Sequence, residues 1–204
     1  MPNSQSSLEA DTQQIRESLN ALGRQYSVST VTEAEEGDIQ ERLSQFEAFS
    51  GFQEVFIYGA VRLGDPVNNS YFVVVSLNHQ QQGLTAYQGQ VPGLTELSYA
   101  GLTTLSRDYG TAVIRPESTT ERLIEYVYPT KVRFEAAPTL HKQYRVMANN
   151  AEHLKAQMPK ALLTAIQQYE GLSLELQGHD LLARLPEGLA RPVAEGLAAF
   201  LHKA

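Results

Sequence analysis

Five histidines are the side chains of this sequence best suited to bind a metal ion. They are His79, His141, His153, His179 and His202. None lies four residues from another, which is the spacing that places two ligands on one face of a helix. None is followed by a carboxylate in an HxxE pattern, and the adjacent Glu152 and His153 would point to different helix faces. We therefore expect no metal site, since one would have to be assembled from distant residues.

The sequence also lacks the motifs that usually hold a catalytic nucleophile or bind a nucleotide. Ser76, Ser98 and Ser106 lack the flanking glycines of the GxSxG motif, which holds a serine on a sharp strand–helix turn. The glycine pair at 89–93 matches neither GxGxxG nor GKS/GKT. There are no cysteines, so disulfides, thiolate catalysis and thiolate metal ligands are excluded. No catalytic residue and no cofactor is predicted.

A local excess of positive charge remains as a signal for ligand binding. Between residues 131 and 160, six basic residues face two acidic ones. Such a patch attracts anions, and tyrosines nearby could line a pocket with an apolar ring and a polar tip. The candidate binding residues are Arg133, Lys142, Arg145, Tyr126 and Tyr128. The alternative interpretation is a solvated rim that balances an acidic N-terminal region, with the tyrosines at the edge of a sheet.

An enzymatic alternative depends on three residues near the same region. Glu125, Glu135 and His141 are candidate acid–base groups. Their role requires that the fold gathers them in one concave pocket. Whether the chain is an enzyme is left open by the sequence.

The negative net charge of the sequence argues against nucleic acid as a partner. The net charge is −7, and the first sixty residues, with ten acids against three arginines, account for all of it. Nucleic-acid binding is disfavoured, because its affinity comes largely from neutralising phosphates. The N-terminus shows neither the basic segment nor the apolar run of a signal peptide. Apolar runs such as residues 72–75 are too short for a transmembrane segment. We therefore expect a soluble, cytoplasmic protein.

Three regions are expected in an α+β fold: a helical N-terminal segment at 1–50, a β-rich middle at 51–130, and a C-terminal βαββα module at 131–204. They can pack as one domain. Leucine and isoleucine recur at helical spacing up to Gly23, which predicts a first helix. An acidic turn at 33–38 is followed by a second helix containing Ile39, Leu43 and Phe46. The two helices should pair with each other or cap the sheet.

The middle region contains segments in which apolar and polar residues alternate and segments rich in β-branched residues. Strands are predicted near 55–58, 71–77, 84–88, 102–106 and 111–115, with a mobile connection at 80–93. For the segment 118–128 the sequence is compatible with either a helix or a strand. Ser118 and Glu121 resemble a helix capping box, whereas the following β-branched and aromatic residues favour a strand.

The C-terminal module shows the most consistent pattern: strand, helix, hairpin, helix. A strand at 144–148 is followed by Asn149 and Asn150, which can cap a helix. A short turn at 151–157 and a new helix from about Pro159 are predicted, and that helix should stop at Gly171. Two strands then flank a type II′ turn at Gly178-His179. A last helix carries Val193, Leu197, Phe200 and Leu201.

This tail resembles that of many uncharacterised bacterial proteins in a domain-of-unknown-function family, some of them membrane-associated. The matching pattern is Phe134-Glu135, Tyr144-Arg145-Val146, Asn150-Ala151-Glu152, Met158-Pro159-Lys160-Ala161-Leu162-Leu163, Leu172-Ser173-Leu174-Glu175 and Gly178-His179-Asp180-Leu181-Leu182. The resemblance covers about a third of the chain. It implies a bacterial source and an α+β fold, and it transfers no catalytic residue.

Taken together, these patterns favour a non-catalytic binding or interaction domain. It would contact a protein partner, or it would associate with copies of itself as a homo-oligomer through its sheet edge or its C-terminal helix. The alternatives are a small-molecule or anion-binding protein and an enzyme with an unrecognised site.

Overall fold

The computed structural model describes residues 4–64, 69–79, 95–118, 132–186 and 188–204. The helices are α1 (Ser4–Gln25), α2 (Glu33–Leu43), α3 (Leu140–Gln143), α4 (Ala151–Gln157), α5 (Lys160–Gln167) and α6 (Arg191–Leu201), with a 3₁₀ helix at Glu47–Phe49. The strands are β1 (Val28–Thr30), β2 (Phe52–Leu63), β3 (Ser70–His79), β4 (Thr95–Thr104), β5 (Thr111–Pro116), β6 (Tyr144–Ala148), β7 (Ser173–Gln177) and β8 (Asp180–Arg184). No helix within these ranges is long and apolar enough to cross a membrane.

One antiparallel sheet contains the eight described strands, in the order β1-β2-β3-β4-β8-β7-β5-β6. The hairpin of β7 and β8 lies between β4 and β5, so strands from the middle and from the C-terminal module share the sheet. β1 is short and pairs only with the end of β2, at 61–63. Helices and a large antiparallel sheet together confirm the predicted α+β class.

The sheet has two covered faces, because successive side chains of a strand point in opposite directions. On β3, Phe72 and Val74 belong to one core cluster, and the intervening Tyr71, Val73 and Val75 belong to another. We call the side of Phe72 the first face; helices α1, α4, α5 and α6 pack there. The side of Val73 is the second face, where α2 and the 3₁₀ helix pack.

The N-terminal helices therefore cap the sheet on opposite faces rather than pairing with each other. Helix α1 contributes Ile15 and Leu22 to the first face and continues to Gln25, two residues beyond the predicted stop at Gly23. The acidic segment predicted as a turn is the first half of α2. Thr32 caps this helix in a capping box with Glu35, which satisfies backbone groups that a turn would have left to water.

The local signals in the C-terminal module agree closely with the structure. Asn150 caps α4 through its side chain, although that segment is a helix and not the turn predicted. Gly171 and Gly178 have positive φ angles of 77° and 61°, which glycine adopts without strain. Gly178 lies in the expected hairpin turn, but α5 ends at Gln167, four residues before the predicted stop at Gly171. The strand predicted at 84–88, the connection at 80–93 and the helix-or-strand question at 119–128 lie outside the described residues.

Candidate interaction groove at the sheet edge

The basic candidates from the sequence lie in three different settings. Arg133 is exposed in the segment that precedes α3, and Lys142 is exposed on α3 itself. Arg145 is half-buried on β6, on the face opposite to the buried Tyr144 and Val146. Tyr126 and Tyr128 lie outside the described residues.

Arg133 lines a cleft of about 350 Å³, but without the other two basic candidates. The cleft is lined by Arg133, Phe134, Glu135, Ala136, Glu152, Lys155, Met158 and Leu163. Its two cations are matched by two carboxylates, and Lys155 Nζ lies 2.8 Å from Glu152 Oε1. The acid–base candidate Glu135 lines this cleft whereas His141 does not, and Glu125 is not among the described residues. No three histidine, aspartate or glutamate side chains within the described ranges are placed to hold a metal ion.

A different feature stands out at the other end of the sheet, where β2 forms most of one edge. Because β1 pairs only with residues 61–63, residues 53–60 have β3 on one side and no described strand on the other. An edge of this kind exposes backbone N–H and C=O groups that can pair with another extended chain. Two register irregularities, between Phe52 and Glu54 and between Ile57 and Gly59, bend this part of the strand.

Helix α2 runs beside this edge and forms a groove with it. The groove has a volume of about 520 Å³ and is lined by Glu33, Glu36, Gly37, Gln40, Val55, Phe56 and Ile57. The four helical residues recur at three- and four-residue spacing, so they form one stripe on α2. Ile39 and Leu43 lie on another side of the helix and are fully buried in the second-face core. The groove therefore has a helical wall, and a strand edge forms its other side.

One hydrogen bond shows which way the edge backbone points. Gln40 Nε2 donates to the carbonyl oxygen of Val55 at 2.7 Å, across the groove. In an extended strand, residues two apart direct their backbone groups to the same side. The backbone of Ile57 therefore points to the open edge along with that of Val55. A segment entering the groove would meet the Ile57 backbone and would share or displace the hydrogen bond that Gln40 makes to the Val55 carbonyl.

The charged residues of α2 form two groups: those paired with residues of the sheet, and those exposed toward the groove. Glu35 forms an ion pair with Arg62 of β2. Arg42 bonds Asp180 of β8 at 2.7 Å and lies 3.5 Å from Asp38. These contacts fix the helix on the sheet. Glu33 and Glu36, by contrast, are exposed on the groove stripe and make no ion pair with any described residue.

The edge strand also exposes aromatic side chains. Phe56 is 51% exposed and Tyr58 is 48% exposed, and they are the exposed large hydrophobic residues of the described chain. Phe56 pairs with Ser76 across the sheet and lies on the first face; Tyr58 bonds Thr12 of α1 at 3.3 Å on that side. Exposed aromatic residues next to an unpaired strand edge are typical of an interaction surface.

The buried Glu175 and the half-buried Arg184 lie against the segment that connects the two groove walls. Glu175 of β7 is only 8% exposed, and its Oε2 is buried without a hydrogen-bond partner among the described residues. The backbone of Glu47 and Ala48 in the 3₁₀ helix lies close enough to lower the pKa of this carboxyl. Arg184 of β8 donates to the Ala48 carbonyl at 3.4 Å and lies over the Phe49 ring. Burial raises the pKa of the Glu175 carboxyl, against the opposing effects of the backbone donors and Arg184. Since the 3₁₀ helix joins α2 to β2, this pair positions the groove.

Comparison with known proteins adds no further assignment: no family model, no curated protein and no solved structure matches the chain. The groove residues were not singled out in the sequence. The sequence pattern predicts an acidic turn for Glu33 and Glu36 and a strand near 55–58 for Phe56, and neither prediction indicates a groove. One signal in the sequence was usable: a glycine, Gly37, between acidic residues in a stretch that can form a helix.

Proposed function

We propose that this protein is a non-catalytic interaction domain that binds an extended segment of a partner protein by strand addition at the edge of β2. The observation that carries this function is the groove between α2 and residues 53–60 of β2. Strand addition obtains affinity from main-chain hydrogen bonds and specificity from pockets for alternate side chains. The groove offers both, because its edge carries backbone groups and its helical wall carries side chains.

Gly37 supports the same function. It is an interior residue of α2, where glycine is less favourable than alanine. A methyl group built at Gly37 would meet no atom within 4 Å, so packing does not require a glycine there. The residue instead lines the groove and leaves room for a backbone to approach the helix.

The function is tested by selecting peptides from an unbiased displayed library on the whole protein and mapping a selected peptide by amide chemical shifts. We expect the shifts to cluster on residues 53–60 and on α2. Gly37→Gln, which places a longer side chain in the open groove, should abolish binding. Gly23→Gln is the matched control, because Gly23 is also helical with open space around it.

Two results would contradict strand addition. Shifts confined to another surface, such as the Arg133 cleft, would remove the groove as the binding site. Unchanged binding by Gly37→Gln, with the fold intact, would do the same. The cleft supports anion binding less well, because its two cations are balanced by Glu135 and Glu152.

The cellular setting belongs to the same proposal. A bacterial source is proposed from the resemblance of the C-terminal tail, and a cytoplasmic location from a cysteine-free sequence, which is compatible with a reducing compartment. Fractionation of cells that produce the protein with an epitope tag would test the location, and recovery in the membrane fraction would contradict it.

A further inference from the structure

We infer that the segment bound at the edge groove is positively charged, with lysine or arginine at alternate positions and apolar residues between them. This inference rests on the proposed strand addition and adds the chemistry of the partner. It follows from three properties of the groove: its negative charge, the different surroundings it offers to alternate side chains of an added strand, and its unsuitability for a second copy of the chain.

The charge of the groove is negative on the helical wall. Glu33 and Glu36 lie one helical turn apart and face the groove without an ion pair from the described residues. The lower part of the groove is apolar, since Val55 and Ile57 line it. Lysine and arginine match this combination, because their aliphatic stems lie on apolar surface while the charged ends reach carboxylates.

The alternation follows from the geometry of an added strand. Its side chains would point in turn to the second face and to the first face of the sheet. Those on the second face would lie beside Ile57 and the acidic wall of α2, where basic residues fit. Those on the first face would lie beside the exposed ring of Phe56, where apolar residues bury further surface.

A second copy of the chain is a poor occupant of this edge. A twofold-symmetric contact brings the same patch of both copies together. Glu33 and Glu36 of each copy would then meet the same residues of the other, together with the exposed Glu54 of β2. Like charges placed together disfavour association. The register irregularities of β2 also oppose pairing of two identical edges.

The test measures binding of three fluorescein-labelled, acetylated octapeptides to the whole protein by fluorescence anisotropy. The first alternates lysine and valine, the second alternates glutamate and valine, and the third has four lysines followed by four valines. We expect the first to bind most tightly and the second not to bind. Raising the salt from about 20 mM to about 300 mM should weaken binding of the first, since exposed charges are screened.

Charge variants identify the carboxylates responsible. Glu33→Gln/Glu36→Gln should weaken binding of the lysine–valine peptide about tenfold at low salt and reduce its salt dependence. The matched control is Glu9→Gln/Glu17→Gln on α1, a helix of the first face, which changes the net charge equally. The control should bind the peptide within about twofold of the wild type.

The outcomes separate this inference from the proposed function. If the glutamate–valine peptide binds as well as the lysine–valine peptide, with shifts on residues 53–60, strand addition stands and the basic partner is wrong. Equal losses in the groove variant and the α1 control overturn the groove carboxylates as the recognition site. Tighter binding by the peptide with four lysines followed by four valines overturns the alternation of basic and apolar residues.

If the lysine–valine peptide changes the amide chemical shifts of residues outside the groove, both proposals fail. A protein that is dimeric in light scattering and dissociates on Gly37→Gln would show that a second copy occupies the edge, which overturns the basic partner.

Discussion

Replacing Gly37 by alanine should stabilise the protein while weakening peptide binding. Gly37 is the fifth of eleven residues in α2, so both neighbouring turns are helical. Alanine at such a position is favoured over glycine by about 0.8–1.0 kcal/mol, because glycine loses more backbone entropy on folding. The new methyl group meets no atom within 4 Å, so no steric cost offsets this gain.

The expected gain is therefore about 1 kcal/mol in the free energy of unfolding, or a rise of about 2–4 °C in Tm for a chain of this length. Urea unfolding followed by circular dichroism measures it, with an unchanged slope showing that the exposed surface is the same. Gly23→Ala is the stability control: the same methyl group enters open space on α1, two residues before the helix end at Gln25. Its gain should have the same sign and be smaller, and it should leave peptide binding unchanged.

Opposite signs in the two assays are the diagnostic result. If Gly37→Ala lowers stability, the residue does not occupy an open position inside α2. If it raises stability and leaves binding of the lysine–valine peptide unchanged, Gly37 is not a wall of the binding groove. A variant that is more stable yet binds less would show that the glycine is retained for access to the groove.

Two further changes test the buried polar groups. Glu175 has a raised pKa in the folded protein, so the folded state holds its proton to higher pH than the unfolded state. The stability of the wild type relative to Glu175→Gln should therefore fall as pH rises above about 4.3, where an exposed glutamate ionises. Urea unfolding from pH 4 to 8 measures this difference in stability. A difference that stays constant over this range would contradict the raised pKa of Glu175. Tyr99 is buried and donates from its hydroxyl to the Leu189 carbonyl at 2.9 Å. Tyr99→Phe should cost about 1 kcal/mol in the same assay, whereas Tyr58→Phe, at an exposed site, should cost little, and equal effects would refute the buried bond.

Sequence reasoning is most accurate where a short segment determines its own structure. The hairpin at Gly178 needs a positive φ that glycine adopts without strain, and Asn150 can cap a helix with its own side chain. These features depend on residues only a few positions apart, so they can be read without the fold. The second helix is less well predicted: the acidic residues at its start suggest a turn, although Thr32 and Glu35 have the spacing of a capping box.

The candidate site depends instead on how α2 is rotated about its axis against the sheet. Glu33, Glu35 and Glu36 are nearly adjacent and chemically the same, so their order in the sequence assigns them no separate roles. Burial of Ile39 and Leu43 fixes the rotation, which turns Glu35 toward Arg62 and leaves Glu33 and Glu36 on the groove stripe. The contact between Glu35 and Arg62 also crosses from the helix to a strand that begins only after the 3₁₀ helix. A charge count over the first sixty residues detects the acidity of this region, but only the packing of two buried side chains decides which of its carboxylates can meet a partner.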